Sequence, residues 1–135
     1  MFFKDLSTCA YFARGVNVRA IGWLEGGHPY RQGEVSAEFL AVLKAQIAIA
    51  YQAVHFLGSH SCSLCPKGQE RTGFRNLLVP TGELLYVAPE LVVHYIEGHD
   101  YQPPEEFVVA VMACPEQNSA AFLQLLQPFE YSWTV

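Results

Sequence analysis

The chain has 135 residues, 51% hydrophobic and 16% charged, enough apolar material for one sizeable core and too little length for two ordinary domains. Eight basic residues against thirteen acidic ones leave a formal net charge of −5, which argues against a phosphate-binding surface and demotes nucleic acid as a partner. The modest charge and 13% aromatic content exclude a disordered chain, because the apolar surface is sufficient to offset the ordering entropy.

At the N-terminus, Met1-Phe2-Phe3-Lys4-Asp5 places an acid where a secretory leader needs a basic start and an apolar stretch behind it. The longest apolar stretches, such as Ala45 to Ala50 and Phe107 to Ala113, fall far short of the roughly 20 residues that span a bilayer. The expectation is a cytoplasmic chain with no membrane segment. There the four cysteines, Cys9, Cys62, Cys65 and Cys114, are reduced thiols and not a disulfide framework.

Val16 to Leu24 is rich in β-branched and apolar residues and stops at Gly26-Gly27-His28-Pro29, which predicts a strand followed by a turn. Ser36 then caps a long helix whose apolar stripe is Phe39, Leu40, Leu43, Ile47, Ala50, Tyr51 and Val54, ending before Gly58. Ser59 to Thr72 is a polar, cysteine-bearing loop that apolar contacts alone cannot order. Phe74 to Val79 and Glu83 to Val87 flank Thr81-Gly82 and read as a hairpin with Gly82 at a positive-φ turn position. Pro89 suits the first turn of a helix carrying Leu91, Val92 and Tyr95, with Gly98 as its stop. A further helix starts near Pro104-Glu105-Glu106 and runs through Phe107, Val108 and Val111. Asn118 caps a last helix with Phe122, Leu125 and Leu126. The fold class that follows is a single α+β domain over 1–135. A small antiparallel sheet (Val16 to Leu24, Phe74 to Val79, Glu83 to Val87) is covered by the long helix and the C-terminal helices.

The strongest chemical signal lies in segment 58–101. Cys62-Ser63-Leu64-Cys65 can turn two thiolates toward one cation, and His94 and His99 can complete a tetrahedron around a structural Zn²⁺. Two histidines five positions apart lie about 140° apart on a straight helix, so both reach one metal only if Gly98 unwinds the last turn. The gap between the pairs is longer than the roughly twelve residues of a DNA-reading finger. His60, two residues before Cys62, is a fifth donor for four positions and stands as the substitute ligand. The plainer reading is a reduced Cys-x-x-Cys in an ordinary loop, with His94 and His99 making hydrogen bonds. A thiol redox pair fits less well, because such motifs follow a strand and open a helix, whereas Pro66-Lys67-Gly68 and a hairpin follow here. Cys9 and Cys114 read as small buried hydrophobes.

A wider pattern accompanies these ligands: Gly22-Trp23-Leu24, Gly27-His28-Pro29, Gly33-Glu34-Val35, His60-x-Cys62-x-x-Cys65-Pro66, Tyr86-x-Ala88-Pro89, His94-Tyr95 and His99-x-Tyr101-x-Pro103-Pro104-x-Glu106-Phe107. Taken together it resembles a family of small bacterial proteins of unknown function, from about Asp5 to about Val111. The resemblance implies a bacterial soluble protein and singles out His28, His60, Cys62, Cys65, His94 and His99, without supplying an activity. The chain departs from the pattern within Ala41 to Val54 and after Cys114.

His28 offers acid, base or ligand capacity beside two glycines, or else packs as a turn residue on Trp23 or Tyr30. Glu97 and Asp100 flank His99; Glu97 reads as a solvated charge and Asp100 as a turn residue. Phosphate cradles, nucleophile elbows and the His-Glu-x-x-His motif have no counterpart here. Two function classes remain: a zinc-stabilised interaction or regulatory module meeting a protein partner or itself, and a hydrolase-like enzyme with water at an open metal position. In the tail, Phe129, Tyr131, Trp133 and Val135 alternate with period two, which predicts a terminal strand that pairs with its own sheet or with another chain.

Overall fold

The computed structural model describes residues 2–9, 17–51 and 59–132. In chain order its elements are β1 (Val18–Ala20), α1 (Ala37–Ala48), β2 (His60–Ser61), β3 (Thr72–Gly73), β4 (Asn76–Pro80), β5 (Leu85–Pro89), α2 (Val92–His99), α3 (Glu105–Ala113) and α4 (Ala120–Leu126), followed by a 3₁₀ segment, Gln127–Ser132. The architecture is α+β. No helix among the described residues is long and apolar enough to cross a membrane.

A strand without polar alternation has to be covered on both faces. Every residue of β4 and β5 is buried, and the alternation of their side chains divides the core in two. Leu77, Val79, Tyr86 and Ala88 pack on one face with Phe39 and Leu43 of α1, Tyr95 of α2 and Phe107 and Val111 of α3. Leu78, Leu85 and Val87 pack on the other with Val18, Ala20, Trp23, Phe122, Leu126 and Phe129.

The strand order is β1-β5-β4. The hairpin is antiparallel as its short turn requires, with Asn76 opposite Pro89 and Pro80 opposite Leu85. β1, in contrast, runs parallel to β5, Val18 beside Leu85 and Ala20 beside Val87, which overturns the expectation of a wholly antiparallel sheet. The chain between β1 and the hairpin contains a whole helix and a loop, long enough for the crossover that parallel neighbours need. The strand is also shorter than Val16 to Leu24. Its outer edge is taken by the N-terminal segment, through bridges between Phe3 and Trp23 and between Thr8 and Arg19.

Several boundaries differ from the sequence expectation for identifiable reasons. Ser36 caps α1 as expected, accepting from the Phe39 N–H at 3.0 Å, but the helix ends at Ala48 and does not continue toward Val54. Its last carbonyls have partners from elsewhere in the fold: Arg75 Nη1 donates to Ala48 at 2.9 Å, and Asn118 Nδ2 donates to Ile49 at 2.7 Å. Val54 and Gly58 lie outside the described residues. Gly82 has no positive φ; the turn is held instead by Thr81, whose Oγ1 accepts from the Leu84 N–H and donates to the Leu84 carbonyl, both at 2.9 Å. Pro89 closes β5 and does not open α2. The cap of α4 is Ser119, accepting from the Phe122 N–H at 3.2 Å, while Asn118 sits at φ 69 to reach α1. The tail is not a strand over Gln127–Ser132: the backbone turns in a 3₁₀ helix that buries Phe129 against the second core. Trp133 and Val135 lie outside the described residues.

The N-terminal segment is pinned by a buried carboxylate. Asp5 Oδ1 accepts from the Gly22 N–H at 2.9 Å and Oδ2 from the Tyr101 hydroxyl at 2.7 Å. Burial pushes the Asp5 carboxyl above its ordinary range, and these two donors work against that rise. Gly22 is at φ +72, and a Cβ on it would stand 2.9 Å from Val92 Cγ2. Gly22→Ala is therefore expected to cost about 2–4 kcal/mol in chemical denaturation, strain and overpacking combined. Gly82→Ala, with open space around it and an ordinary φ, should change stability by less than about 0.5 kcal/mol.

Candidate metal centre

The loop that apolar contacts could not order is shaped by backbone hydrogen bonds. β2 and β3 form a two-stranded antiparallel ribbon, His60 opposite Gly73 and Ser61 opposite Thr72. The ribbon continues into the Cys62 N–H donating to the Arg71 carbonyl at 2.8 Å, so the chain leaves β2 with Cys62 fully buried. It then doubles back. The N–H groups of Leu64 and Cys65 are directed at the Cys62 sulfur, and Cys65 N–H also lies 3.4 Å from the Cys62 carbonyl. That geometry turns both sulfurs to one side. Ser63 faces away, its hydroxyl accepting from the Gly26 N–H at 2.8 Å, which docks the Gly26-Gly27-His28 turn on the knuckle. Gly68 at φ +87 and the bond from Gln69 N–H to the Pro66 carbonyl, 2.9 Å, complete the loop.

The histidines come from α2, which is fixed to the core by Val92, Tyr95 and Ile96. The helix does not unwind at Gly98; it stays regular to His99 and is stopped by Asp100 in the left-handed region at φ 56. The N–H groups of Asp100 and Tyr101 both return to the Tyr95 carbonyl and close the helix end. Gly98 acts through its missing side chain. A Cβ there would lie 3.3 Å from His94 Cε1 and 3.4 Å from Nδ1, so the bare backbone is the floor on which the His94 imidazole lies. The two rings end 4.9 Å apart and nearly perpendicular, with the His99 carbonyl held by the Tyr30 hydroxyl at 2.9 Å.

Knuckle and helix end meet. His94 Nε2 lies 3.2 Å from Cys65 Sγ, and His99 Nε2 lies 3.5 Å from Cys62 Sγ and 3.7 Å from Cys65 Sγ. One ligand atom from each of Cys62, Cys65, His94 and His99 falls within 4.8 Å of all the others. Around a tetrahedral zinc with Zn–S about 2.3 Å and Zn–N about 2.05 Å, sulfur and nitrogen stand about 3.6 Å apart. The four residues are close enough to hold a metal ion, and the donor set is compatible with zinc.

Electrostatics suit the same role. Burial holds His94 below its ordinary range, with the neighbouring His99 and Arg71 acting in the same sense and Glu97 against it, which favours the neutral imidazole that a metal ligand must be. Burial pushes the Cys62 thiol up, against the two backbone N–H groups that favour its thiolate. An added cation would reverse that balance. Tyr95 is raised too, by its own burial and then by Cys62 and Cys65, and stays a neutral phenol beside the sulfurs.

Other candidate residues fall elsewhere. His60 is outside the group; its ring meets Trp23 edge-on at 5.0 Å, and burial lowers its pKa. His28 stacks on Phe2, with ring centroids 4.0 Å apart, and not on Trp23 or Tyr30, and Nε2 is 3.6 Å from the Glu25 carboxylate. Glu97 is paired with Lys44 at 2.7 Å on a half-exposed surface, and Asp100 is the turn residue that its position suggested. Cys9 is a buried core residue. Cys114 is half-buried at the core edge, and burial pushes its thiol up to about 11. Arg71 and the role of Gly98 carried no motif, since each acts only through its position beside His94.

Residues 1–112 match the model of a family described as a domain of unknown function, DUF7919, and the chain belongs to that family. No curated protein and no solved structure gives a match.

Because Gly98 supports a ligand without being one, Gly98→Ala separates helix stability from site geometry. Alanine should strengthen α2 by up to about 1 kcal/mol. Its Cβ should press His94 from its place and lower affinity for Co²⁺, read from the thiolate charge-transfer absorption, by about tenfold.

Proposed function

We propose that this member of the DUF7919 family is a zinc-stabilised interaction or regulatory module, with Cys62, Cys65, His94 and His99 as the four protein ligands of a structural zinc. The observation that carries the reading is the mutual approach of four donor atoms from four residues, the number that a closed structural zinc site uses. His60, the substitute ligand suggested by sequence, is not needed to complete the set.

Catalysis by an open metal position is the weaker alternative. It requires a base beside the metal, and the two acid–base candidates that the sequence offered have other partners: Glu97, beside His94, is paired with Lys44, and His28 meets Phe2 and Glu25. The redox alternative needs a cysteine at the start of a helix, whereas Cys62 follows a strand and Cys65 leads into a turn. Support for a protein-facing role is the acidic balance of the chain together with Phe74, which leaves the knuckle ribbon with 65% of its surface exposed.

A structural site contributes its binding energy to folding. Purified protein should carry one zinc per chain by elemental analysis, and chelation should lower its melting temperature. Cys62→Ser should destabilise by roughly 3 kcal/mol or more, and its melting temperature should no longer respond to chelator. A wild-type melting temperature indifferent to chelator would retire the proposal. His60→Ala should keep the full zinc content.

A further inference from the structure

The hairpin carries a second feature at the end away from the metal group. β3 and α2 join it near Asn76 and Pro89, whereas its turn, Pro80 to Gly82, borders an open groove lined also by α3 and by Leu125 of α4. Five residues of strand, about 17 Å, separate the two ends. The groove has a volume of about 620 Å³, within the range of small-ligand sites, and its wall is largely apolar: Tyr86, Val109, Ala110, Ala113 and Leu125. Val109 is 58% exposed, so among the described residues this apolar surface faces water.

Every charged residue lining the groove is an acid, Glu105 or Glu106. Both lie in the first turn of α3, where the helix dipole accounts for their being tolerated but not for their bordering an apolar cavity. Neither has an ion-pair partner among the described residues. After burial, Glu106 adds to the rise of the Tyr86 pKa and Arg19, opposite Tyr86 on β1, acts against it, so charges of both signs are felt at the inner wall while the charged side chains on the groove lining itself are acids. Cys114, also in the wall, remains a neutral thiol. The lining is thus an apolar trough with negative charge at one rim.

We propose that this groove binds a small amphiphile with a hydrocarbon body and a single cationic head, the body lying along Val109, Ala113 and Leu125 and the head meeting Glu106. An anionic amphiphile would place its charge against two carboxylates, and an uncharged one would gain only the apolar contact.

The test uses the zinc-loaded full chain and three eight-carbon probes, n-octylammonium, n-octanol and n-octanoate, titrated below their aggregation limits and followed by amide NMR shifts. Saturable shifts should map to α3, α4 and the hairpin turn. Octylammonium should bind about fivefold more tightly than octanol, and octanoate most weakly. Glu106→Gln should remove the ammonium advantage and leave octanol affinity unchanged. Val109→Lys, at an exposed helical position, should reverse the order in favour of octanoate. Octylammonium should slow alkylation of Cys114. The dispersion of the amide shifts checks that each variant is folded. Unsaturable or scattered shifts, octanoate binding as tightly as octylammonium, or a probe order unmoved by Val109→Lys would each overturn the proposal.

Discussion

The structure depends on β5 more than on any other element, because its five residues are buried on both faces and hydrogen-bonded along both edges. A strand in that position has no freedom of register. Shifting it by one residue would move Tyr86 and Ala88 out of the core they share with Phe107 and exchange them for Leu85 and Val87. The same strand delivers the chain directly into α2, so the depth and direction of that helix are set by the sheet. The antiparallel partner β4 sets the other half, since β3 and the knuckle enter from its start. The meeting of thiols and imidazoles is therefore a property of one hairpin, read at its open end.

Much of this was legible in the residues because it rests on local chemistry. Ser36 announces a cap, Thr81-Gly82 a hairpin, Pro104-Glu105-Glu106 a helix start, and Cys62-x-x-Cys65 a knuckle; each is stabilised within a few residues of itself. The four clustered donors were legible for a related reason: a polar loop that contributes little core needs another source of order, and His94 and His99 at a helix end offered the imidazoles, although sequence proximity alone would have favoured His60.

What could not be read depends on distant partners. The parallel pairing of β1 follows from a crossover whose path no local residue encodes. α1 stops six residues short of Val54, where Arg75 and Asn118 come in from other parts of the chain to take its carbonyls. Asn118 looked like a cap because asparagine suits both a cap and a left-handed residue, and the tertiary bond to Ile49 selects the second. The alternation in the tail carried a strand signal that burial of Phe129 against Phe122 and Leu126 overrides. Gly98 was read by its most common use, a helix stop, when its use is the space it leaves for His94.

The bond from Tyr101 to Asp5 joins residues 96 apart in sequence, while the ribbon, the hairpin and α2 all close within residues 60–101. Loop-closure entropy rises with the length of chain enclosed, so the two kinds of contact differ in kinetic cost. The contacts that gather the four donors enclose short loops, while the hairpin beneath them takes its cover from α1, α3, α4 and β1. The two closures therefore differ in what they constrain: a cation on the four donors would cross-link chain already near in sequence, whereas the Asp5 bond ties residues 96 apart.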